Sequence, residues 1–267
     1  MNKCPLGHFS SLMKKLICFD WDDTLYDSKA QKLPESNLQL LQELQKREDI
    51  VLCIASGRAA FYFKNFGIDW DAYVTNNGQY VKVNQEVIFE NKVDPKMRQE
   101  LMEWLKERGG TLFGVHSELG ICKTIDPSVD IKSHDSYQRI SVYGPHQDHL
   151  PYEHILLIAY DPQYDQELKA KYPEYIIHRY NGYMVDVIPQ GITKLHSIEK
   201  VADYLNIKLK DVIAFGDSDN DLEMIEGVGI GIAMGNANAN VKFKAKMITD
   251  DFNQEGIRHA LEKLHIL

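Results

Sequence analysis

Short runs that are apolar throughout most constrain how this sequence can fold. They lack the polar residue at every second position that marks a half-exposed strand. Such runs suit strands that are buried on both faces of a parallel sheet, and none approaches the ~20 residues of a membrane-spanning helix. The runs are residues 16–19, 50–55, 212–215 and 228–234.

Amphipathic helical patterns lie between these runs. Residues 34–47 open with a proline and carry leucines along one stripe. Similar apolar stripes are found in residues 195–205 and 255–264. The alternation of buried strand and amphipathic helix predicts an α/β fold, a doubly wound, Rossmann-like core with a parallel sheet, to which both ends of the chain contribute.

The middle of the chain, residues 83–189, has a different character. It combines a polar helix near 94–108 with mixed strands such as 155–160, and it contains 9 of the 14 tyrosines. We interpret it as an inserted α+β domain, bounded by turn signals at residues 76–78 and 189–191. The predicted organisation is a core built from residues 1–82 and 190–267, with a short N-terminal extension at 1–13 and the inserted domain at 83–189.

The composition favours an ordinary folded protein without a nucleic-acid partner. The chain of 267 residues is 44% hydrophobic and 26% charged, unlike a disordered sequence. Its net charge of -9 gives no overall positive field for a polyanion, so any phosphate must be held locally. The 4 cysteines are far apart and indicate neither a disulfide framework nor a zinc site. Because there is no apolar leader or membrane span, we expect a cytoplasmic protein without a membrane partner.

Acidic residues follow two of the predicted strands. Asp20 and Asp22 come directly after the first run, and Asp217, Asp219 and Asp221 come directly after the third. Ligands of open α/β sheets bind beyond the carboxyl ends of the strands, so we expect both clusters at one edge. Two carboxylates about 4 Å apart repel by ~4 kcal/mol at an effective dielectric constant of roughly 20, so the cluster needs a proton or a cation. Oxygen ligands select hard ions, which favours Mg²⁺ shared with a substrate phosphate.

Each motif taken alone has a simpler explanation. A lone Asp-x-Asp-x-Thr is equally well explained by a turn or a helix N-cap. A calcium-binding loop starting at Asp217 would need Gly and Glu where Leu222 and Val228 stand, so that interpretation fails. The glycines of residues 227–235 fit no G-x-G-x-x-G register, and there is no Walker A motif. We therefore do not expect nucleotide binding through either motif.

Two further positions suit phosphate binding. The second run ends at Ser56, Gly57 and Arg58, where a hydroxyl and unobstructed backbone amides at a strand-to-helix turn fit a phosphoryl group. Lys194 lies at the start of a helix, where it could supply a point charge to phosphate. Alone, Ser-Gly is an ordinary turn, and an exposed lysine is more often a solvated surface residue.

Together these residues resemble the four ordered motifs of the haloacid dehalogenase-like hydrolase superfamily. The motifs are Asp20-x-Asp22-x-Thr24, Ser56-Gly57, Lys194 and Gly216-Asp217-x-x-Asn220-Asp221. The insertion lies between the second and third motifs and looks like the type IIB cap of the Cof-like phosphatases. Asn77-Gly78 and residues 233–237 and 253–256 are also similar to that group. Asp23 and Trp21 depart from its pattern, in which a glycine and a smaller aliphatic residue are usual.

The resemblance implies a mechanism for phosphate-monoester hydrolysis. Asp20 would attack phosphorus and form an aspartyl-phosphate, while Asp22 would protonate the leaving oxygen and later deprotonate water. Mg²⁺ would be held by Asp20, the backbone carbonyl of Asp22 and the side chain of Asp217. Asp221 would contact these metal ligands without binding the metal itself. The groups expected to hold the phosphoryl oxygens are Ser56, Lys194, Asn220 and the backbone amides of Trp21 and Gly57.

We therefore expect a hydrolase that acts on a small phosphorylated metabolite, such as a sugar phosphate. A phosphomutase with the same nucleophile is a second interpretation, and a non-catalytic phospho-ligand binding protein is a third.

The motif residues all fall outside 83–189, so we expect the inserted domain to select the substrate. A flavin-pathway phosphate and pyridoxal phosphate stay open beside phosphosugars, and the oligomeric state stays unknown. Some residues of the inserted domain are candidates to face the active site, although tyrosines in such positions more often serve packing. These candidates are Tyr160, His178, Arg179, Tyr180 and Tyr183.

Overall fold

The computed structural model describes residues 14–118, 120–124, 156–179, 182 and 184–267. The N-terminal extension, Tyr180 and Tyr183 lie outside these residues. Within them, no helix is long and apolar enough to cross a bilayer. The strands are β1 (Lys15–Phe19), β2 (Ile50–Ala55), β3 (Ala72–Thr75), β4 (Tyr80–Val83), β5 (Glu86–Glu90), β6 (Thr111–His116), β7 (Gly120–Thr124), β8 (Leu156–Ala159), β9 (Tyr175–Arg179), β10 (Met184–Pro189), β11 (Val212–Gly216), β12 (Ile230–Ala233) and β13 (Met247–Ile248). The α-helices are α1 (Glu35–Leu44), α2 (Pro95–Glu107), α3 (Asp165–Lys171), α4 (Lys194–Tyr204), α5 (Leu222–Gly227), α6 (Ala239–Lys244) and α7 (Gly256–Lys263).

A large sheet is built around the four apolar runs. Its eight strands follow the order β13-β12-β11-β1-β2-β3-β4-β5. The strands from β13 to β3 run parallel, and β4 and β5 continue the sheet in antiparallel orientation. Strands β2 and β11 are buried along their whole length, as expected of strands covered by helices on both faces. The predicted doubly wound α/β core is confirmed.

The helices cover this sheet through the apolar stripes seen in the sequence. Helix α1 begins directly after Pro34 and buries Leu40, Leu41 and Leu44. Each fully buried leucine contributes roughly 1.5–3 kcal/mol relative to an exposed one. Helix α4 begins at a defined residue because the side chain of Thr193 accepts a hydrogen bond from the backbone N–H of His196.

A smaller antiparallel sheet is formed by strands from the middle of the chain. Its order is β7-β6-β8-β10-β9, and it carries its own apolar cluster with α2 and α3. Leu101, Trp104 and Leu168 of these helices are buried in that cluster. Helix α2 is capped by Asp94, whose carboxylate accepts a hydrogen bond from the N–H of Lys96. This mixed α+β arrangement agrees with the character predicted for the inserted segment.

Strand β5 lies in the large sheet, although the sequence analysis assigned residues 83–90 to the insertion. It pairs with β4 so that Val83 stands opposite Glu86. The two residues between them form a tight hairpin loop, in which Asn84 takes the left-handed conformation with a φ of +53°. The exposed Glu86 and Val87 hid this strand, because they break the buried pattern of its neighbours. The smaller sheet therefore starts after Glu90, and the division into a core and an inserted domain stays a prediction.

The strand register brings the motif-bearing loops to one edge. Phe19 of β1 stands opposite Ile54 of β2 and Phe215 of β11. Because these strands are parallel, the residues that follow each of them leave the sheet at the same edge.

Candidate active site

A buried lysine lies at the centre of this edge. The Nζ of Lys194 donates to Asp20 Oδ1 and to Asp221 Oδ1, each at 2.6 Å. All three residues are buried, with the Lys194 side chain only 1% exposed. Asp20 is fixed directly after β1, since its backbone N–H donates to the carbonyl of Phe215 in β11. The end of β1, the start of α4 and the loop after β11 thus meet at one ammonium group.

Asp221 is also bound to its own loop. Its Oδ2 accepts hydrogen bonds from the backbone N–H groups of Asp217 and Ser218, at 3.0 and 3.2 Å. Ser218 and Asp221 form a reciprocal capping box at the short 3-10 turn that begins there. Asp221 is therefore occupied by protein donors, whereas Asp20 and Asp217 remain better suited to bind a ligand.

The acidic cluster has the properties of a metal site. One carboxylate oxygen from each of Asp20, Asp217 and Asp221 lies within 4.8 Å of the others. Burial, followed by the charge of Asp221, raises the pKa of Asp20 well above its usual range, although Lys194 opposes this shift. Burial and Asp221 likewise raise the pKa of Asp217 to about 7. The positive charge of Lys194 therefore does not neutralise the negative charge of the three carboxylates. An all-oxygen donor set of this kind fits a hard divalent cation.

Asp22 lies in a separate ion pair. Both of its carboxylate oxygens accept from Arg58, at 2.7 Å from Nε and 2.6 Å from Nη2. The guanidinium also stacks over the ring of Tyr62, with its Cζ 4.2 Å from the ring centroid. A paired, planar guanidinium holds a carboxylate in one orientation better than a lysine could. Sequence reasoning placed Arg58 at this edge but gave it no role, and its charge next to Ser-Gly was the available signal.

The two departures in the first motif have local explanations. Asp23 has a φ of +57°, a conformation that glycine adopts most easily. An aspartate is tolerated because its side chain accepts hydrogen bonds from the backbone N–H and the hydroxyl of Ser28. Trp21 is fully buried, and its indole ring contacts four aromatic rings. These rings belong to Tyr26, Tyr62, Phe63 and Phe66.

The residues expected to bind phosphate surround the same edge. Ser56 is buried, and its Oγ accepts from the backbone N–H of Arg58 at 3.1 Å, which orients the hydroxyl. Gly57 lies close to the Asn77 side chain: a Cβ added at Gly57 would stand 3.2 Å from Asn77 Oδ1. Asn220 lies in the loop after β11, where its Nδ2 donates to Asn77 Oδ1 at 3.0 Å. The geometry therefore brings the candidate motif residues together, and their roles in catalysis and binding stay predictions.

The candidate residues of the smaller sheet divide into two groups. Tyr160 donates to Asp165, and Arg179 pairs with the same carboxylate while stacking on the Tyr160 ring. This supports the packing interpretation for both residues. His178 is half-buried, and burial lowers its pKa while the charge of Asp219 in the core opposes that shift. His178 therefore lies near the loop that carries Asn220.

Two residues of the site were missed in the sequence. Asn77 was interpreted as part of a turn and of the family resemblance but was given no role in the site, and Asp186 was not singled out. Asp186 is 5% exposed and accepts a hydrogen bond from Asn77 Nδ2 at 2.9 Å. A carboxylate in the middle of the apolar strand β10 was the signal available in the sequence, because buried charges are rarely found without a partner.

Comparisons with known proteins agree with this geometry. Residues 17–261 match the model of the haloacid dehalogenase-like hydrolases. A Bacillus subtilis (strain 168) relative named "Putative phosphatase YkrA" is 33% identical over 265 residues, which span 95% of this chain and 98% of the relative. The chain therefore belongs to the haloacid dehalogenase-like hydrolases.

Solved structures give the same fold. A hypothetical protein from Geobacillus kaustophilus HTA426 matches with a TM-score of 0.83 and 30% identity, over 95% of this chain and all (100%) of that one. A sugar phosphatase of HAD subclass IIB, BT4131, matches with a TM-score of 0.76 and 25% identity, over 95% of this chain and 100% of its own. The resemblance to the type IIB, Cof-like group that the motifs suggested is confirmed.

The acidic cluster predicts that Mg²⁺ stabilises the folded protein. A ligand that binds only the folded state at 100 times its Kd adds roughly 2.7 kcal/mol, and each kcal/mol raises the Tm of a protein of this size by about 2–4 °C. We expect a shift of several degrees by calorimetry, which Asp217→Asn removes. The control is Asp219→Asn in the same loop, because Asp219 is exposed and should leave the shift intact. Equal shifts in both variants would contradict the metal site.

The same cluster predicts a dependence on pH. The pKa of Asp217 is about 7 in the folded state against 3.8 for an ordinary aspartate. The metal-free folded protein thus holds a proton that the unfolded chain has lost, so its stability should fall as pH rises from about 4 to about 7. Mg²⁺ must displace that proton, so its effect on Tm should be larger at pH 8 than at pH 6. A pH-independent shift would contradict this assignment.

Proposed function

We propose that this protein hydrolyses small phosphate monoesters with Mg²⁺ as cofactor and an aspartyl-phosphate on Asp20 as intermediate. The observation that carries the proposal is the buried Lys194, which binds both Asp20 and Asp221. A carboxylate oxygen of Asp217 lies within 4.8 Å of an oxygen of each of these two aspartates. This arrangement provides a fixed carboxylate, a cation and a candidate metal ligand at one strand edge. The similarity to a sugar phosphatase supports a phosphorylated sugar or a related metabolite as the substrate.

Asp20 is suited to act as the nucleophile. One of its oxygens is held by Lys194, and no other hydrogen bond to its side chain is found among the described residues. The second oxygen would attack phosphorus, the bond from phosphorus to the leaving oxygen would break, and the phosphoryl group would be carried on Asp20. Bound Mg²⁺, held by Asp20, Asp217 and the carbonyl of Asp22, would offset negative charge on the phosphoryl oxygens.

Asp22 would transfer the protons. It would give a proton to the leaving oxygen in the first step and take one from water in the second. That water would attack phosphorus, break the bond to Asp20 and release inorganic phosphate. The pair with Arg58 fixes the orientation of the Asp22 carboxylate, and each of its oxygens keeps a second lone pair at which a proton can be carried.

A panel of phosphorylated metabolites with Mg²⁺ tests the activity directly. We expect release of inorganic phosphate from at least one sugar phosphate or related monoester. An isomeric phosphate ester as the product, with an activating bisphosphate required, would instead identify a phosphomutase. Binding without turnover would identify a non-catalytic protein.

The nucleophile is tested by Asp20→Asn. An amide cannot act as an anionic nucleophile, so turnover should fall to background. The variant should still fold, because Lys194 keeps its second partner, Asp221, and is not left as an unpaired buried charge. Activity is compared at equal concentrations of folded protein, checked by circular dichroism. Hydrolysis at the parent rate would disprove the mechanism.

Asp22→Asn tests the proton-transfer role through the leaving group. An alkyl alcohol needs a proton to leave, whereas p-nitrophenolate leaves easily without one. General acid catalysis typically contributes about 10²–10⁴-fold, so we expect a loss of this size in kcat on a sugar phosphate. The loss in the first step on p-nitrophenyl phosphate, followed as the burst of p-nitrophenolate, should be much smaller. Equal losses on both esters would assign Asp22 a purely structural role.

A further inference from the structure

The turn at residues 76–78 contacts the loop that carries Ser56 and Arg58 and the helix that carries Lys194. The backbone N–H of Asn76 donates to the carbonyl of Arg58, and that of Asn77 donates to the carbonyl of Ser56. The carbonyl of Gly78 accepts from Ser197 of α4 at 2.6 Å. All three turn residues have positive φ, at +56°, +55° and +95°. The turn is thus held in an unusual conformation at the centre of the site.

The Asn77 side chain bridges the two sheets. Its Nδ2 donates to Asp186 Oδ2 at 2.9 Å, and its Oδ1 accepts from Asn220 Nδ2 at 3.0 Å. Asp186 belongs to β10 of the smaller sheet, and Asn220 follows β11 of the large sheet. Asn77 and Asp186 are both buried, so the hydrogen bond between them is shielded from water.

The direction of this chain is set at Asp186. Asn77 turns its NH₂ group towards the Asp186 carboxylate and its oxygen towards Asn220, which is the orientation that an acceptor-only ionised carboxylate favours. Asn220 must then present its own NH₂ group to Asn77. The contact from Ser218 Oγ to Asn220 Oδ1, at 3.0 Å, cannot fix this orientation alone, because a hydroxyl both donates and accepts.

We propose that Asn77 and Asp186 are positioning residues that fix the amide orientation of Asn220 so that its free N–H points to a phosphoryl oxygen. One hydrogen of Asn220 Nδ2 is used by Asn77, and the part of the chain that the structure describes gives this group no second acceptor, so the other hydrogen is available to the ligand. A flipped amide would turn its carbonyl oxygen towards the negative phosphoryl group. The inference rests on the proposed function and on the expectation from the sequence that Asn220 contacts phosphate, and it extends the site to a residue of the smaller sheet.

An exchange of the two side chains tests this directly. In Asn77→Asp, two carboxylates face each other and bond one another poorly. In Asp186→Asn, a group that only accepts is replaced by an amide that can donate or accept, so the direction is no longer enforced. The double variant, Asn77→Asp with Asp186→Asn, restores a donor and acceptor pair, which holds the carboxylate at position 77 in the place where it accepts from Asn220. The matched control is Asn76→Asp, because its partner Ser117 Oγ can donate to a carboxylate as readily as it accepts from the amide.

The primary readout is the Kd of inorganic phosphate with Mg²⁺, measured by calorimetry on the full-length protein. We expect each single variant to bind phosphate about tenfold more weakly, which is ~1.4 kcal/mol, and the double variant to return to within roughly threefold of the parent. Asn76→Asp should stay within the same roughly threefold range. For the sugar phosphate or monoester that the panel identifies, KM should follow the same order.

Several outcomes would overturn the inference. Unchanged phosphate binding in Asp186→Asn would show that Asp186 does not set the direction, and a double variant as weak as Asn77→Asp would show that the amide orientation is not what matters. If a single variant fails to fold by circular dichroism, the double variant still decides through its own Kd. Because phosphate binding is read without turnover, a parent protein that binds phosphate but hydrolyses nothing would reject the proposed function and leave this test valid.

Discussion

The buried ammonium of Lys194 is the interaction on which the rest of the site depends. Removing an ammonium group from water costs several kcal/mol unless it is paired and hydrogen-bonded. Although burial opposes the charge, Asp20 and Asp221 raise the pKa of Lys194, so it remains an ammonium. Each carboxylate comes from a different strand, so satisfying this charge requires β1, β11 and α4 to meet at one point. Asp221 then also fixes the loop of Asp217 through two backbone amides.

The parts that could be predicted from the sequence are those that local patterns encode. Buried parallel strands are apolar at every position, so β1, β2 and β11 could be recognised from short windows. Asp20 and Asp217 could be placed together because both directly follow such strands. Strand β5 could not be recognised in this way, since its exposed Glu86 and Val87 lack the apolar pattern. Only the hairpin at Asn84 reveals its pairing.

Side-chain pairs between distant segments have no comparable local pattern. Arg58 and Asp22 are 36 positions apart, and Asn77 and Asp186 are 109 apart. Which groups pair depends on how loops leave their strands and on the placement of one sheet against the other. A sequence can show that a charge is out of place, as at Asp186 within an apolar strand, but the identity of its partner requires the tertiary structure.

The contacts between the sheets affect how chemistry and substrate selection can be divided. In the turn after β6 of the smaller sheet, Ser117 accepts from Asn76, and Glu118 accepts from both Tyr80 and Lys82. The bond from Asn76 to Ser117 is buried, and the bonds from Tyr80 and Lys82 to Glu118 are partly buried, so these polar contacts are largely shielded from water. If Asp186 orients a phosphate-binding amide, the smaller sheet would do more than the substrate selection expected of it. Its correct position against the large sheet would complete the phosphate site itself. Substrate recognition and reaction rate would then be coupled through one hydrogen bond.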